Sequence, residues 1–256
     1  MSGDADIAKI GALVADPARA RILLALGDGR ALAASVLADE AGVAASTASA
    51  HLAKLVDGGL LAVQRHGRHR YFSLAGPQVG ALIEMLAGLA PAAPVRSLRQ
   101  GTRAHAVRSA RTCYDHLAGQ LGTELMGALL TRGLLIGGDG TFDPARARQD
   151  RLSAPGSDHD YHLTERGHRE LSAFGIDFER LVGRPRPLIR YCVDWSEQRH
   201  HLAGSLGAAL AARMFELGWV CRARRGRAVH LSREGAAGLR QTFGLQVTAT
   251  RSAATR

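Results

Sequence analysis

The chain has 256 residues, 46% of them hydrophobic, and a formal net charge of +10. That length suffices for one large domain or two smaller ones; no apolar run approaches the ~20 residues of a membrane helix, and the acidic start MSGDADIAKI lacks the basic-then-apolar order of an export leader. Three cysteines, Cys113, Cys192 and Cys221, are too few for a disulfide framework, so the composition predicts a soluble, cytoplasmic protein with no membrane partner.

Along the chain, Ile7, Ile10, Leu13 and Val14 recur at helical spacing and predict a first helix over Ile7 to Val14. Asp16 is a good N-cap and Pro17 suits the first position of a second helix, which runs to a stop at Gly27. A third helix is predicted from about Ala31 to Glu40, and Gly42 stands where a sharp turn needs positive φ. The next helix, Ser46 to Asp57, turns Ala48, Leu52, Leu55 and Val56 inward. Its other face carries Ser46, Thr47, Ser49, Ala50, His51 and Lys54, small or polar groups able to approach base edges and phosphates in a major groove. Gly58 and Gly59 end it, and Leu60 to Gln64 leads into a hairpin with His66, Gly67 and Arg68 at the tip and Tyr71, Phe72 and Leu74 on the return strand. Arg65, Arg68, His69 and Arg70 crowd that hairpin with donors suited to phosphate oxygens or a minor groove. The plainer alternative is a small helical domain with a solvated basic hairpin. Gly76 and Pro77 then open a helix, Gln78 to Leu89, with an apolar stripe of Val79, Leu82, Ile83, Leu86 and Leu89.

In this order residues 7–90 resemble the ArsR family of winged-helix repressors, through DPARARILLAL, LADEAGVAASTASAHLAKLVDGGLL and GRHRYFSL. The resemblance implies that Ser46, Thr47, Ser49 and His51 lie on a recognition helix and that Arg65, Arg68 and Arg70 work from the wing. It also implies a homodimer on a palindromic operator in double-stranded DNA, with Ile7 to Val14 and Gln78 to Leu89 packed across the twofold axis. Ordinary intramolecular core is the other reading of those two stripes. Metal-sensing members carry cysteines on the helix before the turn, or Asp and His on the helix after the wing. Here Arg30 to Ala41 has no Cys, and Gln78 to Leu89 has neither His nor Asp. An inducer must act elsewhere or be of another kind.

Residues 1–90 hold eight basic and eight acidic side chains, so the basic excess, 25 against 15, belongs to residues 91–256. Ala90 to Val95, APAAPV, reads as a linker. Arg96, Arg99, Arg103, Arg108 and Arg111 follow, either along phosphates or on a solvated helix face. Beyond them the chain repeats. HLAGQLG (His116 to Gly122) returns as HLAGSLG (His201 to Gly207), GALLTRGLL resembles AARMFELGWV in pattern, and Leu-Thr-Glu-Arg-Gly at 163–167 resembles Leu-Ser-Arg-Glu-Gly at 231–235. The predicted fold is mainly α with small β-hairpin wings: a winged helix-turn-helix over 1–90, an Arg-rich linker and helix over 91–111, two degenerate winged-helix-like lobes over 112–182 and 183–247, and a disordered tail over 248–256. Arg222, Arg224, Arg225 and Arg227 on the second lobe's hairpin offer auxiliary backbone contacts.

Cys113, His116, Cys192, Trp195, His200 and His201 cluster at the starts of the two lobes and would converge if these pack by pseudo-twofold symmetry. Cys/His sets suit Zn²⁺ or other borderline metals. A small-organic-effector pocket and purely structural lobes are the competing readings, with buried Cys and core Trp as the ordinary explanations. Asp158 to His162, DHDYH, looks ligand-like but sits in a Gly/Asp/Pro-rich loop. No G-x-S-x-G, P-loop, C-x-x-C or H-E-x-x-H occurs, so no enzyme is predicted. The sequence leads to a transcriptional repressor released by an effector acting on the lobes, against an effector-independent architectural DNA binder or an enzyme on a DNA-binding module.

Overall fold

A computed structural model describes residues 5–67, 69–91, 94, 97–143, 160–183 and 186–250. The chain divides into two compact units: Met1–Ala87 with Arg224–Arg227, and Gly88–Ala223 with Ala228–Arg256.

In the first unit α1 (Ile7–Val14) is capped by Asp6 and α2 (Pro17–Leu26) by Asp16, whose carboxylate accepts from the amides of Ala18 and Arg19. Arg19 turns back on α1, donating to the carbonyls of Leu13 and Ala12, both at 2.7 Å. Its guanidinium so closes the C-terminal end of that helix. Leu32–Ala33 forms a strand, β1, before α3 (Ala34–Ala41), where the periodicity predicts helix from about Ala31. The cause is tertiary: Leu32 and Ala33 pair with Phe72 and Tyr71 of the hairpin, a partner invisible in the local pattern. Gly42, at φ 69°, makes the turn into α4 (Ala45–Asp57), a left-handed conformation that glycine adopts without steric cost. β2 (Leu61–His66) and β3 (His69–Leu74) form the hairpin, and the sheet order is β1-β3-β2. Ile22, Leu26, Leu37, Leu52 and Leu55 are fully buried and set the angle between the helices. α5 (Pro77–Leu89) follows the hairpin.

In the second unit α6 (Leu98–Ser109) precedes a run of elements that recurs in the same order. The first run is β4 (Arg111–Cys113), β5 (His116–Ala118), α7 (Gly119–Thr131), β6 (Leu135–Ile136), β7 (His162–Leu163) and α8 (Glu165–Phe174). The second is β8 (Arg190–Val193), β9 (His200–Ala203), α9 (Gly204–Glu216), β10 (Val220–Arg222), β11 (Val229–Leu231) and α10 (Arg233–Phe243). Each half opens on a hairpin, where a winged helix opens on helices. The halves exchange packing: α7 lies against β9 and α9 against β5, while β5 meets β9. Leu125, Met126, Leu129, Leu206, Leu210 and Met214 fill the shared core. Arg111, placed by sequence on an Arg-rich helix, lies beyond α6 in β4 and is 0% exposed. Among the described residues no helix is long and apolar enough to cross a membrane.

Candidate functional site

Two sets of side chains carry chemistry, one in each unit. On α4, Ala48, Leu52 and Leu55 are buried, which leaves Ser46, Thr47, Ser49, Ala50 and Lys54 exposed along the opposite face. The N-cap of α4, Ala44, supplies no side-chain acceptor, so the first amides and the positive end of the helix dipole face outward beside Ser46 and Thr47. His51 differs from the rest of its face. It is half-buried, with Nδ1 3.5 Å from the Arg19 guanidinium and 3.9 Å from Asp16, and it ties α4 to α2.

The hairpin register sets Arg65 opposite Arg70 and His66 opposite His69, all exposed. Like charges facing one another across a ladder repel, and an anion lying over the hairpin relieves that repulsion. Arg70 also stands over the Phe72 ring at 6.0 Å, and the attraction between cation and ring face orients it. Arg68, expected at the tip, lies outside the described residues, as do Arg96 and the start of the DHDYH run.

The second set is internal. Cys113 pairs with His116 across β4 and β5, and Cys192 with His201 across β8 and β9. Exchange packing of the two hairpins brings these four together, their ligand atoms all within 4.8 Å of one another. Cys113, His116 and His201 are buried and Cys192 is half-buried. Tyr114, at φ 58°, makes the tight turn that folds Cys113 back over His116. That left-handed conformation is unusual for an aromatic residue.

Two carboxylates that sequence reasoning missed hold the imidazoles. Asp115 lies 3.2 Å from His116 Nδ1 and is paired to Arg186; Asp194 lies 3.3 Å from His201 Nδ1. Asp194 is itself fixed from several sides. It accepts from Arg111 at 2.9 Å, from the Gly119 amide at 2.7 Å and from the Ser196 hydroxyl at 2.8 Å. The available signal was the repeated Cys-x-Asp, Cys113-Tyr114-Asp115 and Cys192-Val193-Asp194, upstream of each HLAG.

Trp195 and His200, singled out with these four by sequence, serve elsewhere. The Arg111 guanidinium lies over the Trp195 ring at 4.6 Å, and His200 Nδ1 meets the Tyr161 hydroxyl at 2.7 Å. Tyr161, from the DHDYH run, is therefore core. Arg227, expected on the second lobe's hairpin as an auxiliary contact to the DNA backbone, is buried and paired with Glu84 within the first unit.

Protonation in the internal set is strongly biased. The Cys192 sulfur beside it, together with burial, holds the Cys113 thiol well above its ordinary range. The Cys113 thiol, helped by His116 and His201, holds Cys192 well below that range against the cost of burial. Burial also opposes charge on His116, but Asp115 and Cys192 outweigh it and raise its pKa to about 9. Asp194, despite burial, is kept far below the carboxylate range by His201 and Arg111. His116 Nε2 stands 3.7 Å from Cys192 Sγ. The cavity beside it, lined by Leu117, Leu125, Leu202 and Leu210, is only about 10 Å³, far below the few hundred Å³ that an organic ligand fills.

A helix-turn-helix with an exposed reading face, followed by a basic hairpin on the same frame, defines a DNA-binding winged helix. Residues 14–64 match the family described as helix-turn-helix domain. The chain is 39% identical over 230 residues to the uncharacterized helix-turn-helix-type transcriptional regulator YdfF of Bacillus subtilis, covering 90% of this chain and 93% of that one. Among solved structures, the homodimeric winged helix-turn-helix DNA-binding domain of a possible ArsR-family regulator from Mycobacterium bovis is 31% identical, over 35% of this chain and 89% of that one, with a TM-score of 0.31. The cadmium metal-sensor CMTR from Mycobacterium tuberculosis is 33% identical, over 36% and 99%, with a TM-score of 0.28. The chain belongs to the winged helix-turn-helix transcriptional regulators.

Proposed function

We propose that this regulator is a cytoplasmic, homodimeric repressor of the ArsR type that reads a palindromic operator and is released when an effector acts on its second unit. The observation that carries the reading is the division of α4 into a buried edge and an exposed edge of small and polar groups, continued by the Arg65, His69 and Arg70 cluster of the wing. Thr47 and Ser49 read bases; Lys54 and the wing hold phosphates.

Dimerisation is supported by apolar surface that the monomer leaves uncovered. α1, with sequence IAKIGALV, buries none of its residues, and Ile7 is 79% exposed. α5 buries only Gly80 and Ile83, with Met85 and Leu86 exposed and Leu89 84% exposed. Joined across a twofold axis, these helices would present two α4 segments to half-sites about one DNA turn apart. An effector that favours a different spacing of those helices weakens binding by its difference in affinity for the two states.

Selection from a random duplex library tests this. The expected product is an inverted repeat with half-sites ~10 base pairs apart, bound at two chains per site by light scattering. Equal affinity for every duplex would replace the repressor with an architectural binder.

A further inference from the structure

We infer that Cys113, His116, Cys192 and His201 form a tetrahedral site for one zinc-class divalent ion, which clasps the two halves of the second unit together. The inference stands apart from the repressor reading, since it concerns occupancy of the second unit alone.

The donor set comes first. Two sulfurs and two imidazole nitrogens are the ligands of closed, four-coordinate zinc sites. Zn–S near 2.3 Å and Zn–N near 2.0–2.1 Å require donors roughly 3.4–3.8 Å apart on the edges of a tetrahedron. The four donor atoms already lie within 4.8 Å of one another, and His116 Nε2 is 3.7 Å from Cys192 Sγ. Contraction by at most about 1.4 Å completes the polyhedron. Each half contributes one Cys and one His on adjacent strands, so neither hairpin can complete the site by itself.

The outer groups point the same way. A metal-bound histidine usually directs its other ring nitrogen to a carboxylate, which fixes the ring and raises its basicity. Both histidines here have that arrangement, Asp115 behind His116 Nδ1 and Asp194 behind His201 Nδ1, leaving both Nε2 atoms for the centre. Both ring nitrogens of His201 are buried without a well-formed hydrogen bond: Nδ1 has Asp194 at 3.3 Å, and Nε2 has no such carboxylate neighbour among the described residues. A buried polar nitrogen left unmatched is costly, and a cation at the centre supplies its partner.

The repeated HLAGxLG has a reason in the same geometry. A Cβ on Gly122 would stand 2.5 Å from the Leu117 carbonyl oxygen and 3.5 Å from His201 Cβ; one on Gly207 would stand 2.5 Å from the Leu202 oxygen and 3.4 Å from His116 Cβ. Each glycine lets its helix press onto the carbonyl of the preceding strand in its own half, with the histidine of the other half in ordinary van der Waals contact beside it.

The test uses the full chain, reduced and stripped with chelator, then titrated with Co²⁺. The expected result is one equivalent per chain, with the intense visible bands of tetrahedral cobalt and a sulfur-to-cobalt charge-transfer band, both erased by one equivalent of Zn²⁺. Zinc should also shield Cys113 and Cys192, but not the exposed Cys221, from alkylation. Cys192→Ser should roughly halve the charge-transfer band and His201→Gln should weaken binding at least tenfold, while Cys221→Ser changes neither. Weak octahedral spectra, absence of stoichiometric binding by the wild-type chain, or a Cys113–Cys192 disulfide as the stable product in reducing buffer would each overturn the site. The wild-type measurements decide the matter even if a variant fails to fold.

Discussion

The two units use charge in opposite ways. In the first, Ser46, Thr47, Ser49, Lys54, Arg65, His69 and Arg70 are exposed on helices that pack mainly through aliphatic side chains, while the buried Arg227 is paired with Glu84 away from that face. In the second, Arg111, Asp194, His116 and His201 are buried at the junction of two hairpins. An exposed set meets a large partner by closing onto it, and its members can be exchanged without disturbing the fold. A buried set must be satisfied from within or by something as small as an ion, because each unmatched charge costs several kcal/mol. The difference separates a reading surface from an internal clasp.

The sharpest way to break that comparison is to remove one arginine from each unit. Arg111 and Asp194 are both 0% exposed and 2.9 Å apart. Arg111→Ala strands a buried carboxylate, and about 3–5 kcal/mol of stability should be lost, measured as a fall in the midpoint of urea unfolding. Next in size are Gly122→Ala and Gly207→Ala. The new methyl meets a backbone carbonyl at 2.5 Å in either case, so one strand must shift, at about 1–3 kcal/mol, and each variant should also bind Co²⁺ more weakly. Wild-type stability in both would show that the hairpins and helices do not abut as described.

The first unit was legible almost throughout, and the physical reason is locality. Its elements are bounded by residues acting within a turn of themselves: Asp16 as a cap, Gly42 as a turn, the period of Ala48, Leu52 and Leu55. β1 escaped because its partner, Phe72, is forty residues away. In the second unit the repeat was visible as HLAGxLG, and four of the six residues it drew attention to do converge. Asp115 and Asp194 were missed, since an acidic residue two places after a cysteine means nothing until the fold sets it behind a histidine. Arg111 was misplaced for a related reason: an arginine in an Arg-rich run reads as solvated, and its burial becomes tolerable through Asp194, Ser196 and Trp195, all from the other half. His51 shows the limit on the reading face, where helical phase puts it outward while Arg19 and Asp16 hold it half-buried.

A smaller effect tests the orienting role of the carboxylates. Asp115→Asn keeps the shape but removes the charge behind His116 and one of two acceptor oxygens, and a change of this kind outside the ligand shell costs about 10–100-fold in metal affinity. The competition titration against a chelator of known affinity should show a loss in that range with one equivalent still bound. An unchanged affinity would leave Asp115 as a partner of Arg186 and nothing more.

The smallest effects on the molecule itself belong to the reading surface, and they separate the two kinds of DNA contact. Arg70→Ala removes an exposed charge standing over Phe72, so stability should change by no more than about 0.5 kcal/mol. Affinity should fall for specific and random duplexes alike, and the slope of log affinity against log salt should drop by about 1. Thr47→Ala should leave that slope intact and instead relax the preference at one base pair, costing about 1–3 kcal/mol of discrimination there. The pair is informative because the outcomes cross: a Thr47 variant that alters the salt slope, with an Arg70 variant that alters base preference, would place the recognition element on the hairpin and reduce α4 to the part that sits on the backbone.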